Sequence, residues 1–326
     1  MQPSLHVIRG IEDRHDSVVA ALSEEHLVVA DGTLLRSAEL ADAAASCVRE
    51  IQLVCPATKV AISPSSEFVM ALDANRARVW HQPGLESVFE IAVDAGRTSV
   101  GALFARLGGR DVVLHEPAQA KLDAYDLATG ARIFNGSTET FLIDSGVALA
   151  NGHHVATLGY YRGKASLAVI PLDELSQPPD KLFARFRKKR AIADFAYRLG
   201  LGPSGTDGLV VFRDPEDDED DEEDGAFTDT AYADVRGLHG FYTRKLDGTL
   251  GLKHPWQGPV RPYAKLAATA AWIAVECEGH VALVSLVETS ASHPPIAGRW
   301  LAAAPDGFRV LLQTDDSELS ILALPH

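Results

Sequence analysis

Between Lys59 and His81 the chain reads KVAISPSSEFVMALDANRARVWH: an apolar segment, a polar turn, a second apolar segment, another polar turn, and an alternating segment ending in an aromatic. Short apolar runs bounded by Ser, Pro, Asp, Asn and Gly predict strands joined by tight turns. The unit recurs. From Ser17, an apolar strand (Val18 to Leu22), a turn and a second strand (His26 to Ala30) reach Asp31-Gly32, a hairpin signal, and a third strand starts at Thr33. A third copy begins near Ser99, with turns at Gly108-Gly109 and Asp126 to Gly130 and a fourth strand at Ala131 to Phe134. A fourth begins near Thr140, with turns at Asn151-Gly152 and Arg162-Gly163. A fifth begins near Ala191, a sixth near Lys265 with a turn at Glu278-Gly279, and a seventh near Arg299. The seventh aligns best on the second, APDGFRVLLQTDDSELSIL over SPSSEFVMALDANRARVW.

The first copies start roughly 41 residues apart, close to the repeat length of a four-stranded propeller blade. The spacing predicts an all-β chain: one domain over residues 1–326, a seven-bladed β-propeller with four-stranded blades. Ala38 to Arg49 has a helix-like composition but falls between the third and fourth strands of the first copy. The seventh copy stops after three strands, at Leu324, while Leu5 to Arg9 (LHVIR) precedes the first copy with strand character. Pairing the two ends supplies the missing outer strand, closes the ring and shields edges that invite aggregation.

These features resemble the WD-repeat and quinoprotein-like β-propellers. The SPSS and APDG turns are similar to the turn between the first two strands of WD repeats, Val79-Trp80-His81 stands where that family places Trp-Asp, and Asp126 to Gly130 (DLATG) is like a quinoprotein turn. Gly152-His153 and Gly279-His280 are out of register with the Gly-His that opens a WD repeat, so that family's buried tetrad is not carried over. The resemblance implies a protein-interaction scaffold.

Charge changes the picture at one place. Asp214 to Asp224 (DPEDDEDDEED) carries ten carboxylates of a chain whose formal net charge is −15, leaving the remainder mildly acidic. Such a run repels itself and is expected to form a disordered loop over residues 214–230, inserted in the fifth blade. An acidic chain lacks the clustered Lys and Arg that phosphate backbones require, which argues against nucleic-acid or anionic-membrane binding. The short basic run Arg185 to Arg190 is expected before the inner strand of the fifth blade, where it could neutralise the acidic loop. Three cysteines without a CxxC pair, Cys47, Cys55 and Cys277, suit a reduced compartment, and Cys55 and Cys277 read as buried thiols. The first residues lack the features of a signal peptide and no run is long enough to span a bilayer. The expectation is a monomeric cytoplasmic protein of bacterial type, without cofactor.

Catalytic motifs are absent: there is no HExxH, GxSxG, P-loop or dinucleotide fingerprint. His153-His154 would point to opposite faces of a strand, which disfavours shared metal ligation, so no metal site is assigned. Turns joining the second and third strands of each blade share a face with the connections between blades, and that face is expected to bind. It gathers Asp73, Arg76, His115, Glu116, Tyr160, Tyr161, Arg162 and Asp315, beside turn residues such as Asp31 and Glu278. Glu216, Asp217, Asp218, Glu219, Asp220 and Asp221 are the candidate docking loop on the same face. The function expected is a non-catalytic scaffold that binds a protein partner; the alternative is a propeller enzyme or small-ligand binder using the central channel.

Overall fold

The computed structural model describes residues 3–8, 18–41, 44–73, 76–82, 84–92, 102–107, 109–115, 117, 121–137, 147–148, 154–161, 164–171, 191–194, 199–201, 208–212, 240–245, 250–255, 266–269, 271–277, 279–285, 293–304, 308–315 and 318–325. Among them there is no helix. Strand β1 (Ser4–Val7) comes first. A four-stranded antiparallel sheet follows, of β2 (Val19–Leu22), β3 (His26–Asp31), β4 (Leu34–Ala41) and β5 (Ala44–Gln52) in sequence order. The second sheet holds β6 (Lys59–Ile62), β7 (Phe68–Leu72), β8 (Arg76–His81) and β9 (Glu86–Ala92). The third holds β10 (Ala102–Leu107), β11 (Arg110–His115), β12 (Lys121–Asp126) and β13 (Arg132–Ser137), and the fourth β14 (Val147–Ala148), β15 (His154–Tyr161), β16 (Lys164–Pro171) and β17 (Ala191–Asp194).

Two further meanders share one eight-stranded sheet. The first is β18 (Leu199–Leu201), β19 (Gly208–Phe212), β20 (Gly240–Lys245) and β21 (Leu250–Pro255); the second is β22 (Leu266–Ala268), β23 (Trp272–Cys277), β24 (His280–Ser285) and β25 (Ile296–Ala297). A parallel bridge between β18 and β22, Leu201 opposite Ala267, joins them. The last sheet is β26 (Arg299–Ala303), β27 (Arg309–Asp315) and β28 (Glu318–Ala323), with β1 as its outer strand. Ser4, Leu5, His6 and Val7 pair antiparallel with Ala323, Leu322, Ile321 and Ser320, so the N-terminal strand completes the sheet that the C-terminal residues begin.

One expectation holds and one needs correction. Between Ala38 and Arg49 the described residues belong to the end of β4 and most of β5, the third and fourth strands of the first sheet, which pair from Leu34 opposite Gln52 to Ala41 opposite Ala44. Ala191 does not open the fifth unit, because β17 pairs with β16 as the outer strand of the fourth sheet. The basic run Arg185 to Arg190 therefore falls in sequence between β16 and β17, outside the described residues. The physical reason is hairpin geometry. Once β15 and β16 pair through eight residues, β16 still presents an open edge, and the next apolar segment covers it.

Among the described residues, middle strands such as β3, β7 and β11 are apolar on both faces because their sheets pack against a neighbour on either side. Leu27 and Val29 of β3 join Leu301, Leu311, Leu319 and Ile321 of the last sheet in one cluster. Their alternating neighbours Val28 and Ala30 join Val60, Val69, Ala71 and Trp80 of the second sheet. The rule repeats further on: Phe68, Met70 and Leu72 meet Ala102, Phe104 and Val113 of the third sheet, and Trp272, Ala274 and Leu283 meet Trp300, Leu312 and Leu322 of the last. A two-residue period thus sends alternate side chains to different neighbours, and each fully buried Leu or Val contributes about 1.5–3 kcal/mol.

Turns between first and second strands carry polar links from sheet to sheet. Arg309 donates to the carbonyl of Glu24, Ser66 Oγ to Ser23 Oγ at 3.3 Å, and Ser65 Oγ and backbone N–H to Asp111 Oδ2. Thr269 Oγ1 donates to the Pro325 carbonyl at 2.8 Å. One face of the assembly is thereby engaged in holding neighbouring sheets together.

Candidate functional site

The opposite face carries the turns between second and third strands and the connections from one sheet to the next. A cavity of about 400 Å³ opens there, lined by Val18, Val19, Ala20, Thr58, Lys59, Val60, Glu276, Arg299, Trp300 and Leu301. Val18 and Val19 lie at the start of β2, Thr58 and Lys59 at the start of β6, and Arg299 opens β26, while Glu276 is the penultimate residue of β23. In a strand–turn–strand meander, the start of a first strand and the end of a second lie at the same end of the sheet. The register agrees: Lys59 pairs with Leu72 at the end of β7.

Local chemistry also fixes the connection that leads to Thr58 and Lys59. The connection after β5 is tied to the turn of its own sheet by Leu53 N–H to Thr33 O at 2.7 Å and Ala57 N–H to Gly32 O at 3.1 Å. Gly32 has φ 58°, where a side chain would be strained. Thr58 donates through its hydroxyl to Leu72 O at 3.1 Å, alongside its backbone N–H at 2.8 Å. Val54, in the same connection, is 79% exposed, the most exposed of the large apolar side chains described. Lys59, Glu276 and Arg299 all keep interactions within the protein. Among the described lining residues, two are cations and one is a carboxylate, set on apolar walls that include buried Trp300.

A second polar cluster lies between the second and third sheets. In the first two sheets, the third residue of the third strand is an arginine paired with a glutamate on the outer strand. Arg36 Nε donates to Glu50 Oε1 at 2.8 Å, and Arg78 Nε to Glu90 Oε2 at 2.8 Å. Arg76 also reaches Glu90, and the Glu90 carboxyl is held below its usual range, chiefly by the Arg78 hydrogen bond. In the third sheet the equivalent pair is Asp123 opposite Asn135, with Asn135 Nδ2 donating to the carboxylate. Tyr125 donates its hydroxyl to Asp123 at 3.3 Å, and Arg132 lies at 3.5 Å. His115 pairs across the ladder with Asp123, where the first two sheets place Val29 and Ala71 opposite their arginines. It is 2% exposed, and neither ring nitrogen has a hydrogen-bond partner. Burial pushes its imidazole below the usual range, and the Asp123 carboxylate opposes that only in part.

The residues singled out by sequence fall as follows. Asp73 is buried and caps its own turn, Oδ1 accepting from the Arg76 N–H at 2.9 Å, with Arg78 at 3.7 Å from Oδ2. Arg76 is half exposed and bound to Glu90. His115 is inside the interface between sheets and does not reach the outer face. Tyr160 and Tyr161 end β15, opposite Ala165 and Lys164, and Asp315 ends β27, opposite Glu318. Glu116, Arg162 and the run from Glu216 to Asp221 lie outside the described residues. Cys55 and Cys277 are half-buried rather than buried, and the Cys277 thiol is pushed up by burial.

Sequence reasoning missed Lys59, Arg299 and Glu276, which come from three different sheets. A signal existed: Lys59 and Arg299 are charged residues at the heads of otherwise apolar first strands. Among the described residues no three His, Cys, Asp or Glu side chains are grouped to hold a metal ion, and no helix is long and apolar enough to cross a membrane.

No family model matches the chain, and no curated protein matches it. Solved structures do. The WD40 domain of Pan2 from Neurospora crassa is similar with a TM-score of 0.59 at 11% identity, covering 97% of this chain and 90% of that one. A chain of the mitotic checkpoint complex gives 0.60 at 14% identity, covering 99% and 91%. BamB from Moraxella catarrhalis gives 0.53 at 14% identity, covering 100% and 98%. At such identities the likeness speaks for the fold alone, and that fold is the one shared by the WD-repeat and quinoprotein-like β-propellers.

Proposed function

We propose that the chain is a single seven-bladed β-propeller, its ring closed by β1, and that it works as a non-catalytic scaffold binding a protein partner through the face opposite the interlocked turns. The pairing of β1 with β28 and the shared cluster of the first and last sheets support the closed ring. The observation carrying the functional reading is the asymmetry of the two faces. One is engaged by the links from Arg309 to Glu24, Ser66 to Ser23 and Ser65 to Asp111; the other presents the cavity and the exposed Val54. A similar propeller is found in a mitotic checkpoint complex, which fits a role in assemblies. At the cavity the described charged groups are Lys59, Glu276 and Arg299, not the converging carboxylates and imidazoles that general acid–base chemistry needs. The run from Glu216 to Asp221 belongs to this reading as a docking element for a basic surface. The protein is taken to act in the cytoplasm as a monomer, without nucleic acid, membrane or cofactor.

The test is partner capture from the native host with cross-link mapping, using three variants. Val54→Glu and Arg76→Glu alter the proposed face; Glu67→Lys alters an exposed residue of the interlocked face. Capture lost with the first two and kept with the third is the expected result. Capture insensitive to both face variants, with cross-links around Glu67, would refute it.

A further inference from the structure

We infer that two copies of this chain pair through β1, antiparallel and about a two-fold axis at His6, so that the last sheets of the two copies become one continuous sheet. This goes beyond the scaffold reading and does not depend on it. The first observation is an unguarded edge. β1 is the outer strand of the last sheet, and among the described residues only β28 pairs with it. Its residues Ser4, Leu5, His6 and Val7 are all exposed and include no Asp, Glu, Lys or Arg. The other outer strands are charged or shorter: β5 holds Arg49 and Glu50, β9 Glu86 and Glu90, β13 Arg132, β17 Asp194 and β21 Lys253, while β25 is only Ile296–Ala297. Charges on an edge deter pairing with another chain, and β1 has none.

The second observation is which groups that edge offers. Ile8 donates its N–H to the Leu319 carbonyl at 2.8 Å, which makes Ile8 and Leu319 a hydrogen-bonded pair. Bonded and non-bonded pairs alternate along an antiparallel ladder, so His6 and Ser4 also turn their backbone groups to β28, and the N–H and C=O of Leu5 and Val7 point outward. A second β1 fits these groups in one register. With His6 opposite the same residue of the second copy, Leu5 lies opposite Val7 and Val7 opposite Leu5, and both donors and both acceptors of each copy are paired. A register one residue away sets outward groups against inward ones. Centring on Leu5 sets Val7 against Pro3, which has no N–H to give.

The third observation is apolar surface in the same place. Leu5 is 43% and Val7 46% exposed, two of the five large apolar side chains that stand open among the described residues. Two apart on a strand, they share one face, that of Leu322 and Ser320 across the ladder. In the paired register Leu5 of each copy packs beside Val7 of the other, so the side chains covered are those that β28 leaves open. Because the strands run antiparallel, the copies are inverted. The sheet ends that carry the cavity then point opposite ways, and a pair can bridge two partners. The contact is small, so association is weak, and at low concentration the chain is the monomer of the scaffold reading.

Sedimentation equilibrium of the full chain from about 5 to 500 µM, the range suited to an interface below the standard size, should show a mass rising from monomer towards dimer. Val7→Pro removes an outward N–H and none bonded to β28. It should weaken dimerisation about ten-fold or more, two hydrogen bonds being lost per dimer, with the melting temperature nearly unchanged. Leu5→Glu with Val7→Glu should give a monomer, as should Leu5→Lys with Val7→Lys, and an equal mixture of the two should form the heterodimer, which a folding defect cannot produce. His6→Cys should cross-link to a dimer on mild oxidation, since a non-bonded pair brings Cα atoms to about 4.5 Å, while Leu5→Cys, Val7→Cys and the wild type with its native cysteines should not. Hydrogen exchange of the N-terminal peptide should slow as the dimer fills. A monomeric mass throughout that range, or a dimer indifferent to Val7→Pro, overturns the pairing. So does an N-terminal peptide protected equally in monomer and dimer, the sign that another part of the chain already covers the edge.

Discussion

His115 should be replaceable with a gain in stability. Its imidazole is 2% exposed and both nitrogens lack hydrogen-bond partners. A buried polar group without a partner costs about 1–3 kcal/mol. His115→Leu removes that cost and adds apolar burial beside Ala102, which faces it across the ladder, and the Tyr125 ring. Asp123 is not orphaned by the change, since Asn135, Tyr125 and Arg132 still engage it. The expected gain is about 1–3 kcal/mol at pH 7.5, or roughly 2 °C in melting temperature per kcal/mol for a chain of this size. The variant should also change the pH dependence. Burial lowers the folded-state pKa of His115, the nearby carboxylate only partly restoring it. Below its unfolded value near 6.5, the unfolded chain therefore binds more protons than the folded one. Stability is fully present above that pH and is lost as pH falls towards the depressed folded pKa, at up to about 1.4 kcal/mol per pH unit. Urea unfolding of both proteins at pH 5.5, 6.5 and 7.5 measures this. The wild type should lose stability towards pH 5.5 by more than the variant does. A variant destabilised by more than about 1 kcal/mol at pH 7.5, with the acid sensitivity unchanged, would refute the reasoning and place the ring nitrogens in satisfied hydrogen bonds.

Two smaller effects follow from other contacts. Gln82 Nε2 donates to Ser37 Oγ at 2.8 Å between the second and first sheets, both groups buried. Ser37→Ala should cost about 1–3 kcal/mol by stranding the amide, and adding Gln82→Leu should recover much of it, a non-additivity that denaturant curves of the singles and the double would measure. The Glu90 carboxyl should titrate below the usual range in carbon-detected NMR, and Arg78→Gln should move it upward; with the pair partly exposed, stability should change by less than about 1 kcal/mol. An unmoved Glu90 would mean that Arg78 does not hold it.

Much of this architecture was legible because it is local. The strand of Lys59 to Ile62, the turn through Ser63 and Ser66, and the strand from Phe68 lie where the polar and apolar pattern puts them. Trp80, standing where a WD repeat places its tryptophan, is buried among Leu35, Val60 and Val69, which is a core role. Where neighbouring segments competed for the same strand edge, the pattern was ambiguous. Ala191–Asp194 is apolar enough to begin one unit or to finish another, and only the pairing of β17 with β16 decides. Likewise Ala38 to Arg49 has a composition that suits a helix, yet its described residues finish β4 and form most of β5, which covers the open edge of β4.

The candidate site was less legible because it is not local. His115 reads as one more polar residue at a strand end, and only the stacking of the second and third sheets buries it beside Asp123. Lys59, Glu276 and Arg299 belong to three different sheets and line one cavity because the starts of first strands and the end of a second strand lie at the same end of their sheets. The sequence alone determined the strands, their order and the two-residue alternation, all of which depend on nearest neighbours and on hydrophobicity. The tertiary structure decided which strand finishes which sheet, which face is interlocked, and which charges share a cavity. Those outcomes depend on contacts between residues that no local pattern connects.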